Sequence, residues 1–178
     1  MKPTQIASGK FWPKALKRRV KKRQKFSCVL KTLAALRTGN AMDTENMQNV
    51  IGIGTDIAEC LRIGEMIEKH ESLFIDRVYT PWEIEYCGSR KAATQHYTGR
   101  WAAKEAILKA MGTGWAKGIQ WVDLEIRNEM GGAPKVIISG AALEICNAKG
   151  INEIKVSISH CRMFATAFAV ALGEPKPE

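Results

Sequence analysis

The chain has 178 residues, of which 25% are charged and 46% hydrophobic, a balance typical of soluble globular proteins. Its net charge of +9 is unevenly distributed. Residues 1–46 contain twelve lysines and arginines against two acidic residues, whereas residues 47–178 contain fifteen against sixteen. The basic character therefore belongs to the N-terminal segment, and the nearly neutral remainder is long enough to form a hydrophobic core.

The five cysteines argue against two kinds of site. No two of them form a Cys-x-x-Cys pair, and their number is odd. We therefore expect neither a disulfide framework nor a zinc site, and we expect a reducing, cytoplasmic environment. No apolar run approaches the roughly 18–20 residues that a membrane-spanning helix needs. The N-terminus also lacks the compact apolar stretch and the cleavage site of a secretory signal.

Residues 1–46 form a basic N-terminal extension that we expect to be disordered, because like-charge blocks such as KALKRRVKKRQK repel themselves. The amphipathic piece FSCVLKTLAALRTGN follows and is compatible with a helix. Three interpretations of the extension stay open. It is sequence upstream of a true start at Met47, a basic arm that binds nucleic acid or an anionic surface, or an organelle-targeting segment. We expect a folded domain at 47–173 and a C-terminal tail at 174–178.

The segment NVIGIGTDIAE, residues 49–59, alternates with the period of a strand. Gly52, Gly54 and Asp56 share one face of that strand. Because glycine has no side chain, this face would allow another backbone or a ligand to approach closely. Asp56 is compatible with two roles, a cation ligand at the end of the strand or a cap for the helix that follows.

Two helices are predicted next. In residues 58–76 the apolar positions have helical spacing, and we expect an inward face of Leu61, Ile63, Met66, Ile67 and Phe74. Arg62 and Lys69 share the outer face, where three glutamates dilute their charge. The sequence Thr-Pro-Trp-Glu at 80–83 combines an N-cap, a proline at the first helical position and an acid at the third. It predicts a second helix running to about residue 87.

Residues 100–114 predict a further helix with a buried alanine-rich stripe, formed by Ala102, Ala103, Ala106, Ile107 and Ala110. Glycines at 112 and 114 would end it. Glu105 and Lys109 are four residues apart and therefore lie on one face. Taken alone, that spacing is most often an ordinary surface ion pair, which contributes little to stability.

The last third of the chain predicts β-structure. Residues 120–128 alternate as a strand, with Val122, Leu124 and Ile126 on one face. A turn at 129–134 leads into a partner strand at 135–138. A short helix between Ser139 and Gly150 precedes two strands, EIKVSISH and MFATAFAVAL, which a tight turn connects. His160 ends the first of these strands, and a lone histidine at such a position is more often structural than functional.

Three motifs occur in a fixed order: G-I-G-T-D-I-x-E at 52–59, W-A-A-K-E-A-x-x-K-A-x-G-T-G at 101–114, and S-I-S-H at 157–160. Together they resemble the 4′-phosphopantetheinyl transferase superfamily, and within it the holo-[acyl-carrier-protein] synthases, over about residues 49–172. The resemblance implies an α+β fold in which a small, mainly antiparallel sheet packs with helices, present once in the chain.

The resemblance also implies an activity. Members move the phosphopantetheine arm of coenzyme A onto a serine of acyl carrier protein and release adenosine 3′,5′-bisphosphate. Residues matching Asp56 and Glu105 hold Mg²⁺, which would let two acids approach each other without a nearby arginine. Glu105, directly or through a metal-bound water, would accept the proton of the serine, and Lys109 would stabilise the leaving phosphate. Arg100 and His160 match positions near the phosphates of coenzyme A.

Partners follow from the same resemblance. Acyl carrier proteins are acidic and dock on a basic first helix, where Arg62 and Lys69 match docking positions. Short members of the superfamily assemble as homotrimers, and the holo carrier serves fatty acid biosynthesis. The alternative from the residues alone is a nucleic-acid-binding protein that acts through residues 1–46.

Overall fold

The structure is a computed structural model that describes residues 49–115 and 118–174. These residues form one five-stranded antiparallel sheet and four α-helices, so the predicted α+β fold is confirmed. The predicted N-terminal extension at 1–46 lies outside the described residues, as does the C-terminal tail beyond Glu174. In chain order the elements are β1 (Asn49–Glu59), α1 (Cys60–Val78), α2 (Pro81–Gly88), α3 (Ala93–Ala110), a 3₁₀ turn (Trp121–Asp123), β2 (Leu124–Asn128), β3 (Pro134–Ile138), α4 (Gly140–Lys149), β4 (Ile151–His160) and β5 (Phe164–Gly173).

The sheet has the order β1-β5-β4-β3-β2, and every neighbouring pair is antiparallel. The predicted hairpin of β2 with β3 and the predicted pair of β4 with β5 are both present. Strands β3 and β4 are joined at a single position, Lys135 opposite Lys155, so the sheet opens between them. In the part of the chain that the structure describes, no helix is long and apolar enough to cross a bilayer.

Helix α3 packs across one face of this sheet and forms the centre of the core. Its predicted buried stripe is confirmed, because all five residues of the stripe are at most 4% exposed. The facing strand β5 contributes four buried alanines: Ala165, Ala167, Ala169 and Ala171. Small side chains on both surfaces let the helix lie close to the sheet. A larger side chain in this tightly packed layer would therefore lower the stability of the protein.

The closest approach is to β1, at the two glycines that the sequence analysis expected to leave a bare face. A Cβ atom on Gly52 would overlap the carbonyl oxygen of Ala110, and one on Gly54 would overlap the carbonyl oxygen of Ala106. The bare face is therefore occupied by the backbone of α3. This contact fixes where the outer face of α3 lies relative to the end of β1.

We predict that Gly54→Ala lowers the free energy of unfolding by about 3 kcal/mol, because the added methyl group must push the helix away from the strand. The matched control is Gly131→Ala, because no atom lies within 4 Å of a Cβ at that position. Urea unfolding followed by circular dichroism would measure both variants. Equal stabilities for the two variants would contradict the prediction.

Helix α1 is interrupted at Glu71, whose backbone angles of φ 44° and ψ −127° are not helical. Glu71 is the one non-glycine residue with positive φ among the residues described. The interruption lets Ile63 and Phe74, from the two halves of the helix, both face a second apolar cluster that includes Tyr79. The inward position predicted for Leu61 is wrong, since its side chain is 73% exposed. Leu61 lies two residues, roughly 200° of helical rotation, from the buried Ile63.

We predict that Glu71→Gly raises the free energy of unfolding by about 1 kcal/mol, because glycine adopts positive φ without the steric cost that glutamate incurs. Glu68→Gly is the control. Glu68 is exposed in the regular part of α1, where glycine should cost about 1 kcal/mol. Thermal and urea unfolding would be compared across the three proteins, and destabilisation by both substitutions would refute the expected relief of strain.

Two predicted boundaries are wrong. Helix α3 begins at Ala93 rather than at Arg100, although its first turns contain polar, β-branched and glycine residues of low helix propensity. Tertiary packing overrides that preference, because Tyr97 and Thr98 are buried. The strand predicted from residue 120 begins only at Leu124. Residues 121–123 form a 3₁₀ turn that places Val122 outside the strand.

Candidate functional site

The end of β1 and the outer face of α3 bring three of the predicted site residues together. Lys109 Nζ donates hydrogen bonds to Asp56 Oδ1 at 2.8 Å and to the carbonyl oxygen of Thr55 at 2.9 Å. Asp56 does not cap α1, because the N-cap position is occupied by Glu59. Of the two roles that the sequence left open for Asp56, the structure therefore disfavours the helix cap.

Glu105 lines the same cavity as Asp56, a space of about 380 Å³ that Arg62 and Trp101 also border. Partial burial raises the pKa of Glu105, and the charge of Asp56 raises it further, while Lys109 and Arg62 act to lower it. The expectation that the two acids lack a nearby arginine is thus wrong. Among the described residues Glu105 makes no ion pair within 4 Å, so its carboxylate is available to a ligand.

The donor set at this cavity fits a hard divalent cation. Asp56 and Glu105 supply carboxylate oxygens, which Mg²⁺ prefers, and their mutual repulsion is relieved when a cation lies between them. Within the described ranges no three histidine, cysteine or acidic side chains are grouped as an all-protein metal cage would need. A pair of carboxylates suits a Mg²⁺ ion that completes its coordination with water and substrate phosphate oxygens.

Arg100 and His160, the other two residues predicted to bind coenzyme A, line a separate cavity of about 230 Å³. Arg100 is 4% exposed and donates a hydrogen bond from Nη2 to Asn128 Oδ1 at 2.7 Å. The ring of His160 lies 5.5 Å from the ring of His96, measured between centroids. Asp56 and Glu105 therefore line one cavity and Arg100 and His160 another, and α3 borders both.

The two predicted docking residues differ in position. Arg62 borders the carboxylate cavity and is exposed there, so it could contact a partner that approaches the site. Lys69 is exposed two turns further along α1 and does not line that cavity. The structure thus brings Arg62, but not Lys69, to the edge of the site.

Sequence analysis missed Lys104, which directly precedes Glu105. Its ammonium group is fully buried, 2.8 Å from Glu83 Oε2, and it also donates to the carbonyl oxygens of Val78 and Trp121. Burial lowers the pKa of Lys104, and the charge of Glu83 raises it. The sequence did contain a signal for this pair. Lys104 lies between the stripe residues Ala103 and Ala106, and a charged residue that is buried there requires a buried partner.

Aromatic partners of Arg100 were also missed. The guanidinium carbon lies 4.2 Å from the ring centroid of Tyr86 and 5.9 Å from that of Trp82. Trp82 and Tyr86 are four residues apart on α2, as His96 and Arg100 are on α3. That spacing places each pair on one helix face and could have indicated the cluster.

Comparison with known proteins identifies the family. Residues 52–169 match the family described as the 4′-phosphopantetheinyl transferase superfamily. The chain belongs to that superfamily. A holo-[acyl-carrier-protein] synthase of Protochlamydia amoebophila is 46% identical to the chain over 120 residues, which cover 67% of this chain and 96% of the relative.

Solved structures of relatives agree with this assignment to the superfamily. The holo-acyl-carrier-protein synthase of Plasmodium yoelii has a TM-score of 0.64 and 34% identity, covering 72% of this chain and 99% of that one. The Helicobacter pylori synthase, solved in complex with coenzyme A, has a TM-score of 0.60 and 30% identity, covering 67% and 98%. The predicted resemblance is confirmed. Nothing in these comparisons favours the nucleic-acid alternative, which depends on residues outside the described ranges.

Proposed function

We propose that the chain transfers the 4′-phosphopantetheine group of coenzyme A to a serine of apo acyl carrier protein and releases adenosine 3′,5′-bisphosphate. The observation that carries the proposal is that Asp56 from β1 shares a cavity with Glu105 of α3 and is ion-paired with Lys109 of the same helix. The Helicobacter pylori relative, which is solved with coenzyme A, supports the choice of substrate. We place the product in fatty acid biosynthesis and the reaction in the cytoplasm.

In this mechanism Glu105 accepts the proton of the serine hydroxyl as the serine oxygen attacks the pyrophosphate of coenzyme A. The new bond joins the serine oxygen to the phosphorus that carries pantetheine, and the bond to adenosine 3′,5′-bisphosphate breaks. Asp56 and Glu105 would hold Mg²⁺, which supplies positive charge to the phosphate oxygens when bound. Both carboxylates are positioned by secondary structure, which reduces the reorganisation needed during the reaction.

Lys109 and the second cavity bind the anionic parts of coenzyme A. Lys109 is ion-paired with Asp56 in the structure, and its ammonium group binds the pyrophosphate in the proposed mechanism. Arg100 and His160 contact a phosphate of coenzyme A in the second cavity. Arg62 and Lys69 contact the acidic carrier protein along the exposed side of α1.

We predict that Glu105→Gln lowers kcat by at least about 100-fold, because the amide cannot accept the serine proton. The full chain would be incubated with coenzyme A, Mg²⁺ and apo acyl carrier protein, and mass spectrometry would count added phosphopantetheine groups. Glu65→Gln, which neutralises an exposed acid of α1 outside the cavity, is the control. Chelation with EDTA should stop transfer and added Mg²⁺ should restore it.

Two results would count against this assignment. If none of several carrier proteins increases in mass, the proposed function is contradicted. Full activity of the Glu105→Gln protein at saturating Mg²⁺ would remove Glu105 from the mechanism while leaving the transferase activity in place.

We also propose that three copies of the chain associate through the sheet. The face of the sheet opposite α3 exposes apolar side chains of β1 and β5, namely Ile53, Ile57, Phe164 and Phe168, at 36% to 66% of their surface. Ile57 lies opposite Thr166, and Phe168 opposite Thr55, so these side chains form one continuous surface. An exposed apolar surface of this kind is typical of a contact between subunits. The number three comes from the resemblance to short members of the superfamily.

We predict that Phe168→Asp converts the trimer to monomers, because a charge in the centre of an apolar contact lacks a partner. Light scattering during size-exclusion chromatography would report the mass. Leu73→Asp is the control, since Leu73 is an exposed apolar residue on α1, away from this surface of the sheet. A mass of one chain for the unsubstituted protein would contradict the trimer.

A further inference from the structure

The opening of the sheet between β3 and β4 leads into a cavity of about 650 Å³ that the proposed mechanism does not use. The two strands are paired at a single position, Lys135 opposite Lys155. Helix α4, which connects them, borders the cavity with Leu143 and Cys146. The cavity shares no lining residue with the carboxylate cavity, and it shares Pro134 with the 230 Å³ cavity. It is therefore a separate candidate for a binding site.

The interior of this cavity is apolar. Cys146, Ile151 and Ile154 border it, are at most 5% exposed and belong to the main hydrophobic core. Val136 and Ile138 also border it, and both are partly buried against the same core. A space of this volume with such a lining is typical of a site that takes the apolar part of a small molecule.

A row of three positive side chains crosses the sheet where β3 and β4 meet. Arg127 of β2 lies opposite Lys135, which lies opposite Lys155 of β4, so the three side chains are on one face. Arg127 and Lys155 form ion pairs with Glu125 and Glu153 of their own strands, whereas among the described residues Lys135 forms none. Like charges directly opposite each other destabilise a sheet, so an anion bound at Lys135 would relieve the repulsion.

The apolar cavity beside α1, of about 780 Å³, has a different charge pattern. It is bordered by three glutamates and two cations: Glu59, Glu65, Glu68, Lys91 and Arg162. The cavity between β3 and β4 is bordered by two lysines and two glutamates, and one of those glutamates is paired with Lys155. The excess of acid beside α1 disfavours an anion there, and the unpaired Lys135 favours one at β3.

We propose that the cavity between β3 and β4 binds a long-chain fatty acid, with the carboxylate at Lys135 and the alkyl chain between the two strands and α4. The carboxylate forms a charge-assisted contact with the central cation of the row. The alkyl chain extends from there along the buried surface of Ile151 and Ile154. The site is independent of the proposed function, because the carboxylate cavity lies elsewhere.

Calorimetric titration of the full chain with octanoate, decanoate and dodecanoate, each below its critical micelle concentration, tests the apolar interior. Each added pair of methylene groups should strengthen binding about tenfold, because every buried methylene adds a similar free energy of transfer. 1-Decanol lacks the charge and should bind at least about tenfold more weakly than decanoate. No binding of the three acids, an affinity that does not change with chain length, or equal affinity for decanol and decanoate would overturn the proposal.

Substitutions then locate the carboxylate. Lys135→Glu should weaken binding of decanoate at least about tenfold and leave binding of 1-decanol unchanged, because only the acid is repelled. Lys91→Glu, at the cavity beside α1, is the matched control and should bind decanoate as the unsubstituted protein does. Loss of decanoate binding in Lys91→Glu rather than in Lys135→Glu would overturn the proposal, since the ligand would then lie beside α1.

A further pair of variants tests the position of the alkyl chain. Leu143→Trp should weaken binding of decanoate and of 1-decanol alike, because the larger side chain occupies part of the cavity. Leu73→Trp, on the exposed surface of α1, should weaken neither. Thermal unfolding would confirm that each variant is folded.

Discussion

Helix α3 lies so close to strand β1 that no side chain fits between their backbones at Gly52 and Gly54. The strand and the helix are thereby in direct backbone contact, and any side chain at these two positions would have to push them apart. Asp56 continues the same face of β1 by two residues beyond Gly54, and Glu105 and Lys109 lie at the edge of the same face of α3. The relative position of the two residues is consequently set by a backbone contact, as the magnesium site that we propose would require.

The opposite side of α3 is fixed by a different interaction. Lys104 reaches away from the cavity to Glu83, whose second oxygen accepts a hydrogen bond from the backbone amide of Ile126. The backbone amide of Thr80 also donates to Glu83, so this one buried pair connects α2, α3 and β2. Lys104 and Glu105 are neighbours in the chain. Lys104 is buried in an ion pair with Glu83, whereas the carboxylate of Glu105 faces the cavity and is available to a ligand. A buried pair with every group satisfied favours one arrangement of the helices over its alternatives.

The sequence allowed the elements with strong local signals to be predicted, and the reasons for the failures are physical. Periodicity found the alanine stripe of α3, and the capping sequence at Thr80 found α2, because both depend on neighbours in the chain. Leu61 was placed inward although a regular helix turns it about 200° away from the buried Ile63, and which of the two faces is buried depends on tertiary packing. The break at Glu71 depends on tertiary packing as well. The prediction that Asp56 and Glu105 lie together came from the family resemblance, because no local sequence pattern relates residues about fifty positions apart. Spacing within α2 and within α3 could indicate the face that carries Tyr86 and the face that carries Arg100, but the stacking of the two residues depends on how the helices meet.

Helix α3 carries residues of both cavities, and this arrangement has a consequence for the substrate. Arg100 and Lys109 are nine residues apart, so they are separated by about 13 Å along the helix axis. Both residues bind phosphate in the proposed function, and a rigid helix would then hold the two phosphate positions at a fixed separation along its axis.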